Sequence, residues 1–307
     1  MLPHDPNFFV WAARGLGYEL NGENRRQEKY EGSMAFKSIF GISPETASLV
    51  YRIGELNRKK VTPKHFLWGV ALAKQYGTET SMASMFRTTR KTFRKRTYRA
   101  LKACADILPL VVRNRTKLSP CLLHLSFEFE QVKWENRFAR DRGKTCKVTV
   151  DGTDCPINDP KPFNTRWYSH KFRGAGLRYE LAVCIQTGWI VWVNGPYPCG
   201  SFPDITIFRH RLIHKLGPTE KVEADRGYRG EDGYIRTPES AVSQADRRAA
   251  GRARARHETI NSRLKTFKCL SVKFRHPLEK HVTFFGAVTV FVQVGIMNGE
   301  KPWQLAY

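Results

Sequence analysis

Cys146-Lys147-Val148-Thr149-Val150-Asp151 is the stretch on which the fold turns. Three of its residues are β-branched, their stiff side chains suit an extended backbone, and the run ends on an acid. A strand ending at Asp151 is predicted, with a turn at Gly152. Downstream, Arg178 to Gln186 alternates. Tyr179, Leu181, Val183 and Ile185 fall on one side, and Glu180, Ala182, Cys184 and Gln186 on the other. Thr187-Gly188 supplies a tight turn, and Trp189-Ile190-Val191-Trp192-Val193 returns as the second strand of a hairpin. Pro203-Asp204 opens a helix whose Ile205, Phe208, Leu212 and Leu216 share a face, and Gly217-Pro218 stops it. Lys221-Val222-Glu223-Ala224-Asp225 is another short strand ending in an acid, and Arg226-Gly227-Tyr228 turns away from it. A long helix is predicted over Ala241 to Lys268. In a mixed sheet built in this order the first strand and the later one lie side by side, which makes neighbours of Asp151 and Asp225.

Upstream the pattern is helical. Residues 1–35 are polar and in part rich in Gly and Asn, from Gly15 to Gly32, and are expected to form a flexible arm. Residues 36–115 repeat apolar positions at three and four, among them Phe66, Val70, Ala73, Phe93, Tyr98, Leu101 and Ile107. Within them, a helix from Pro63 to Tyr76 is ended by Gly77. Thr80 is expected to cap a short helix, Ser81 to Arg87, and Thr88-Thr89 breaks to a longer one, Lys91 to Ala105. This is a helix-turn-helix arrangement whose last helix carries Arg90, Lys91, Arg94, Lys95, Arg96, Arg99 and Lys102 on wet faces. Residues 116–146 read as a connector with one amphipathic piece around Phe127, Val132, Trp134 and Phe138. The longest apolar run, Val282 to Met297, is interrupted by Thr283, Thr289 and Gln293. It falls short of the ~20 residues a spanning helix needs and is read as buried.

Charge narrows the partners. Lys and Arg number 52 against 28 acidic residues, a net charge of +24. Such a chain is drawn to polyanions, nucleic acid first and an anionic membrane second. The chain lacks the RNP-type aromatic motifs of a general RNA binder. Seven scattered cysteines, never in CxxC spacing, argue against a disulfide framework and against a zinc finger, and suit a reducing, intracellular setting. Met1 to Pro6 lacks the charged and apolar regions of a signal peptide.

Four acids stand out: Asp151 after the first strand, Asp204 at the start of a helix, Asp225 after the later strand and Glu258 on the long helix. Three or four carboxylates can hold two hard divalent cations roughly 4 Å apart, which is what phosphodiester cleavage needs. Each acid has a plainer explanation by itself. Asp204 after Pro203 suits a helix cap, Asp151 and Asp225 suit turns, and Glu258 suits a solvated helix face beside Arg254. The four in this order favour a metal site. Arg254 and Lys265, four residues before and seven after Glu258, share its helix face and are placed to meet phosphates. A second basic run, Asp246 to Arg256, leads into Glu258; gripping DNA, nuclear localisation and a solvated helix face are its alternatives.

The segments VDGT, GSFPDITIFR, ADRGY and RARHETINSRLK together resemble the DDE nuclease domain of PIF/Harbinger-type transposases. The resemblance runs from Lys147 to Pro302, and the RxxxExxxxxxK helix is similar to that of bacterial insertion-sequence transposases. Trp167-Tyr168-Ser169-His170-Lys171 fits the basic, aromatic block that follows the first strand in that family. The resemblance implies an α/β fold: an RNase H-like mixed-sheet catalytic domain over residues 147–302, preceded by an all-α helix-turn-helix domain over residues 36–115. It implies Mg2+ or Mn2+, two ions, held by Asp151, Asp225 and Glu258 with Asp204 as a fourth acid; whether Asp204 or Asp225 is the second aspartate of the triad stays open. It further implies cutting and joining of double-stranded DNA in the nucleus, by an oligomer acting with a Myb-like accessory protein and not on a membrane. The expected DNA contacts are Arg90, Lys91, Arg94, Lys95, Arg254 and Lys265. The alternative is a domesticated, non-catalytic DNA-binding protein.

Overall fold

The computed structural model describes residues 5–14, 25–111, 137, 145–300 and 302; for residues 25–32 it describes the backbone alone. The connector lies almost wholly outside these residues. Its amphipathic piece around Phe127, Val132, Trp134 and Phe138 lies entirely outside them.

The described strands form one mixed sheet: β1 (Cys146–Pro156), β2 (Tyr168–Ser169), β3 (Gly174–Cys184), β4 (Ile190–Pro198), β5 (Lys221–Glu223) and β6 (Ile235–Arg236). Their order is β4-β3-β1-β5-β6, with the short β2 also paired to β3. β1, β3 and β4 are antiparallel neighbours, whereas β5 and β6 run parallel to β1. This arrangement is consistent with an RNase H-like domain. One expectation is corrected: β1 does not end at Asp151. It continues to Pro156 because its antiparallel pairing with β3 runs from Val148↔Cys184 to Pro156↔Gly176. Its parallel partner is far shorter. The last paired position on that side is Thr149↔Glu223. Beyond it β1 keeps β3 on one edge and faces a notch on the other.

Alternation along β1 sorts its side chains between two layers. Val148 and Val150 enter a small core with Ala182, Cys184, Phe208, Leu212, Val222, Ala224 and Tyr228. Much of its cover is α8 (Asp204–Ile207), which runs on as a π-turn, Phe208–Leu212, and a 3-10 turn, Ile213–Lys215. Thr149 points the opposite way, to α9 (Gln244–Lys265), where its hydroxyl meets His257 Nδ1 at 2.8 Å. α9 is shorter than expected at both ends. Ser243 caps its start, accepting from Asp246 N, and the chain reaches α10 (Lys268–Ser271) after a break at Thr266-Phe267.

The remaining helices are α1 (Pro6–Arg14), α2 (Arg25–Phe40), α3 (Pro44–Ile53), α4 (Pro63–Gln75), α5 (Glu79–Met85), α6 (Arg90–Ala105), α7 (Leu108–Val111) and α11 (His281–Met297). The expected flexible arm is corrected in its described part. α1 buries Phe9 and Ala13 completely, and α2 begins at Arg25, because these aromatic and aliphatic side chains find a core to enter. α4 ends on Tyr76 in the left-handed conformation rather than on Gly77. Thr78, not Thr80, caps α5 by accepting from Ser81 N, and Thr89 caps α6. α11 is buried nearly throughout and packs against α3, α6 and α7. Leu278–Met297 is long and apolar enough to cross a membrane by length and composition, yet most of it is buried inside the molecule. One hydrophobic core therefore runs from Phe9 and Phe66 through Phe93 to Leu181, Phe284 and Phe291, joining the helical half to the sheet.

Candidate active site

The β1/β5 register decides the geometry. Thr149 stands opposite Glu223. Two residues further along each strand come Asp151 and Asp225, so both acids stand at the same end of the parallel pair, at the notch, Asp151 still paired to β3. Asp151 is fixed at both oxygens: Gly152 N donates to Oδ1 at 2.7 Å and Asn261 Nδ2 donates to Oδ2 at 2.7 Å. Asn261 lies on α9, three residues after Glu258 and on the same face, so the bond sets Glu258 over Asp151. Asp225 is exposed, and its Oδ1 accepts from Gly227 N at 2.8 Å. The turn reading of this residue is thus correct, and compatible with a second role.

Asp204 arrives from the opposite layer. It is no helix cap: Pro203 occupies the cap position and makes no side-chain bond. Its Oδ1 is buried with no hydrogen-bond partner, and Arg178 Nε stands 3.4 Å away. The approach depends on Gly152. A Cβ added to Gly152 would lie 2.0 Å from Asp204 Oδ1, and one added to Gly227 would lie 3.4 Å from Asp204 Oδ2. The Asp204 carboxylate therefore fits against the residue after Asp151 because that residue has no side chain, and it touches the turn after Asp225 at ordinary contact distance.

The acids disturb one another. Burial pushes Asp151 above the ordinary carboxylate range; Lys171 offsets part of this and Asp225 adds to it. Burial likewise raises Glu258, with Asp151 next in weight. Asp204 is pushed up to about 6 by burial, against the pull of Arg178 and Lys171, with Asp151 raising it further. Burial is thus the main cause of all three rises, with neighbouring acids adding to each.

Among the described residues, no three His, Cys, Asp or Glu side chains stand close enough to cage a metal ion. Asp151, Asp204, Asp225 and Glu258, expected to hold two ions, are therefore not gathered into such a cage. The donor chemistry still fits a hard divalent ion: the set is all oxygen, and the buried Asp204 Oδ1 makes no hydrogen bond, facing only the Arg178 guanidinium at 3.4 Å.

Of the expected phosphate contacts, Lys265 is spent internally. Its Nζ donates to Asp154 O and, at 3.0 Å, to Leu270 O, pinning α9 and α10 to the end of β1. Arg254 Nη1 donates to Glu223 Oε2 at 3.4 Å. Arg90 and Arg94 both reach Glu79, whereas Lys91 and Lys95 are exposed. Sequence reasoning missed Asn261, whose signal was its helix spacing from Glu258. It also missed the roles of Lys171, which donates to Gly152 O at 2.8 Å, and of Arg178, which grips Asp154 at 2.6 and 2.9 Å. Arg178 is opposite Asp154 in the β1/β3 register, a pairing invisible without the sheet.

Residues 150–293 match the profile of a family described as DDE superfamily endonuclease, a span that includes all four acids. The chain is 26% identical over 140 residues to a "Probable transposase for insertion sequence element IS702" from Microchaete diplosiphon. The match covers 42% of this chain and 50% of that protein, so the chain spans about half the length of the curated relative it matches. No solved structure matches the chain.

Proposed function

We propose that this chain is a metal-dependent DNA endonuclease of the transposase type, in which Asp151, Asp225 and Glu258 are the core metal ligands and Asp204 is a fourth. The observation that carries this reading is the convergence of Asp151 and Asp225 at one end of the parallel pair, with Glu258 and Asn261 above them. The family profile over residues 150–293 supports the same chemistry. Magnesium or manganese bound there would acidify the attacking water or hydroxyl and compensate charge at the leaving oxygen. The chain's own residues do the rest. Gly152 N–H and Asn261 orient Asp151, and Lys265 clamps α9 so that Glu258 keeps its place. Asp151, Asp204 and Glu258 all hold protons more tightly than free carboxylates, so protons leave as cations enter, and metal affinity rises with pH toward neutrality.

DNA is read, in this proposal, by α4 to α6 acting as a helix-turn-helix with α6 in the major groove. Joining of strands, oligomeric assembly on DNA, nuclear residence and a Myb-like accessory protein belong to the same reading, through the resemblance alone. The test is nicking of a supercoiled plasmid with magnesium or manganese. The full chain nicks, and Asp151→Asn, which keeps the shape of the side chain, reduces nicking to background. A wild-type chain that binds DNA but never nicks it with either metal leaves the non-catalytic DNA-binding alternative.

A further inference from the structure

We infer that the rim of the carboxylate site takes unpaired bases, so that the DNA strand to be cut lies there with bases turned out of the duplex. This presupposes the reading of the four acids as a DNA-cutting site. Two loops build the rim. The first runs from Phe163 to Lys171 and the second from Tyr197 to Asp204. Backbone bonds join them: Gly200 N and Ser201 N donate to Arg166 O at 2.9 and 3.0 Å. The join is tight, since a Cβ on Gly200 would lie 2.2 Å from Thr165 O. Each loop is also fastened to a residue of the site. Lys171 Nζ donates to Gly152 O at 2.8 Å. Arg178, which stands 3.4 Å from Asp204 Oδ1, donates through Nη1 to Phe202 O at 3.2 Å.

Both loops carry rings that the hydrophobic cores do not take. On the first, Phe163 meets Tyr168 at 6.4 Å and Tyr168 meets His170 at 5.0 Å, centroid to centroid. On the second, Tyr197 lies 4.9 Å from Phe202, and Phe202 lies 5.8 Å from His210. Phe163 is 51% exposed, both histidines are exposed, and Tyr168, Tyr197 and Phe202 are half-buried. Phe163, Tyr168, Tyr197 and Phe202 belong to none of the core clusters, whereas Phe208, a few residues on, is wholly buried in one. Exposed cations lie among the rings: Arg166, Lys171 and Arg211.

Rings left at the surface beside an acid site add little to packing, and their grouping points to a ligand. Cations interleaved with aromatic faces suit a nucleic-acid strand, the cations meeting phosphates and the rings meeting bases. A paired base offers only its edge in a groove, because its faces are covered by its neighbours in the stack. An unpaired base offers a face. Phe202 is two residues before Asp204, so a base stacked on it belongs to a nucleotide close to the phosphate held over the acids.

Fluorescence anisotropy of the full chain in EDTA tests this without metal or cleavage. The probes are a labelled thymidine oligonucleotide and an abasic strand of equal length, which keeps the phosphates and lacks the bases. Wild type is expected to bind the thymidine strand about tenfold more tightly, the order of magnitude for one stacked base. Phe163→Leu and Phe202→Leu keep apolar bulk without a ring. Each should shrink that ratio while binding the abasic strand as wild type does, and Phe202→Trp should preserve it. Equal binding of both strands by wild type, a comparison that needs no variant, overturns the inference, as does a ratio that survives in both leucine variants. Either result leaves the nuclease reading standing. A chain that prefers the thymidine strand yet nicks no plasmid with either metal overturns the nuclease reading and leaves the base-binding rim in place.

Discussion

Glu180 shows how far a single side chain in this sheet departs from its behaviour in water. It lies opposite Gly152 in the β1/β3 register and is 1% exposed. One carboxylate oxygen accepts from Trp192 Nε1 at 3.0 Å, and the other is buried without a partner. Burial pushes its pKa up to about 8, against the pull of Trp192, with Asp204 adding to the rise. The folded chain thus keeps a proton that the unfolded chain releases near the ordinary glutamate value. Stability contributed by this group is complete below that value and is lost as pH rises toward 8. Glu180→Gln copies the protonated form and escapes the loss. In metal-free denaturant titrations the two proteins should match at about pH 5, and the variant should be more stable by up to a few kcal/mol at about pH 9. A stability difference that is the same at both pH values would show that Glu180 does not titrate as described. The alternation around Glu180 was legible in the sequence; that its position lies beside the glycine following Asp151 was not, because only strand pairing brings them together.

At the scale of the element, α6 carries two kinds of cation. Lys91, Lys95 and Arg99 recur every four residues and form one exposed stripe. Arg90 and Arg94 lean on Glu79 of α5, which also accepts from Tyr98 at 2.9 Å, while Lys102 pairs with Asp106 at 3.0 Å. A cation already paired gives up an internal partner to meet a phosphate, so the stripe should do most of the phosphate work. Measured by the slope of log binding constant against log salt, Lys91→Ala and Lys95→Ala should each lower the slope by about one, with Arg90→Ala lowering it less. Slopes unchanged in both lysine variants would remove α6 from the DNA interface. The helix and its basic character follow from sequence periodicity and from Thr89 as cap. Glu79 as a latch does not, since it sits eleven and fifteen residues away from its arginine partners.

For the whole molecule, the decisive feature is that the helical half and the sheet share a core. Tyr179 of β3 stacks on Phe285 of α11 at 3.6 Å and its hydroxyl meets His281 Nδ1 at 2.8 Å. α11 in turn packs on α6, where a Cβ on Gly286 would lie 3.3 Å from Ala105 Cβ. Arg275 N donates to the Tyr76 hydroxyl at 2.8 Å, and Tyr98 meets His276 at 2.9 Å. Burying one large apolar side chain is worth about 1.5–3 kcal/mol, so separating the halves exposes more than a marginally stable domain can lose. Residues 145–302 produced alone should therefore be aggregated or unfolded by circular dichroism, and rescued by co-expression with residues 1–111. A monomeric, cooperatively melting 145–302 fragment would refute a shared core.

The sequence by itself determined the local content of this protein: where backbone runs extended or coils and where most turns fall. These follow from side-chain branching, periodicity and capping chemistry, all of which act within a few residues. Tertiary structure alone decided that β1 outruns β5 and leaves a notch at Asp151, and that Gly152 admits Asp204 from the far layer. It also decided that Lys265 is spent on backbone carbonyls at the end of β1 while Lys171 reaches the Gly152 carbonyl, and that α11 welds helices to sheet. Each of these depends on groups far apart in the chain meeting at a few ångströms, where strand register and close packing, rather than local propensity, set the distance.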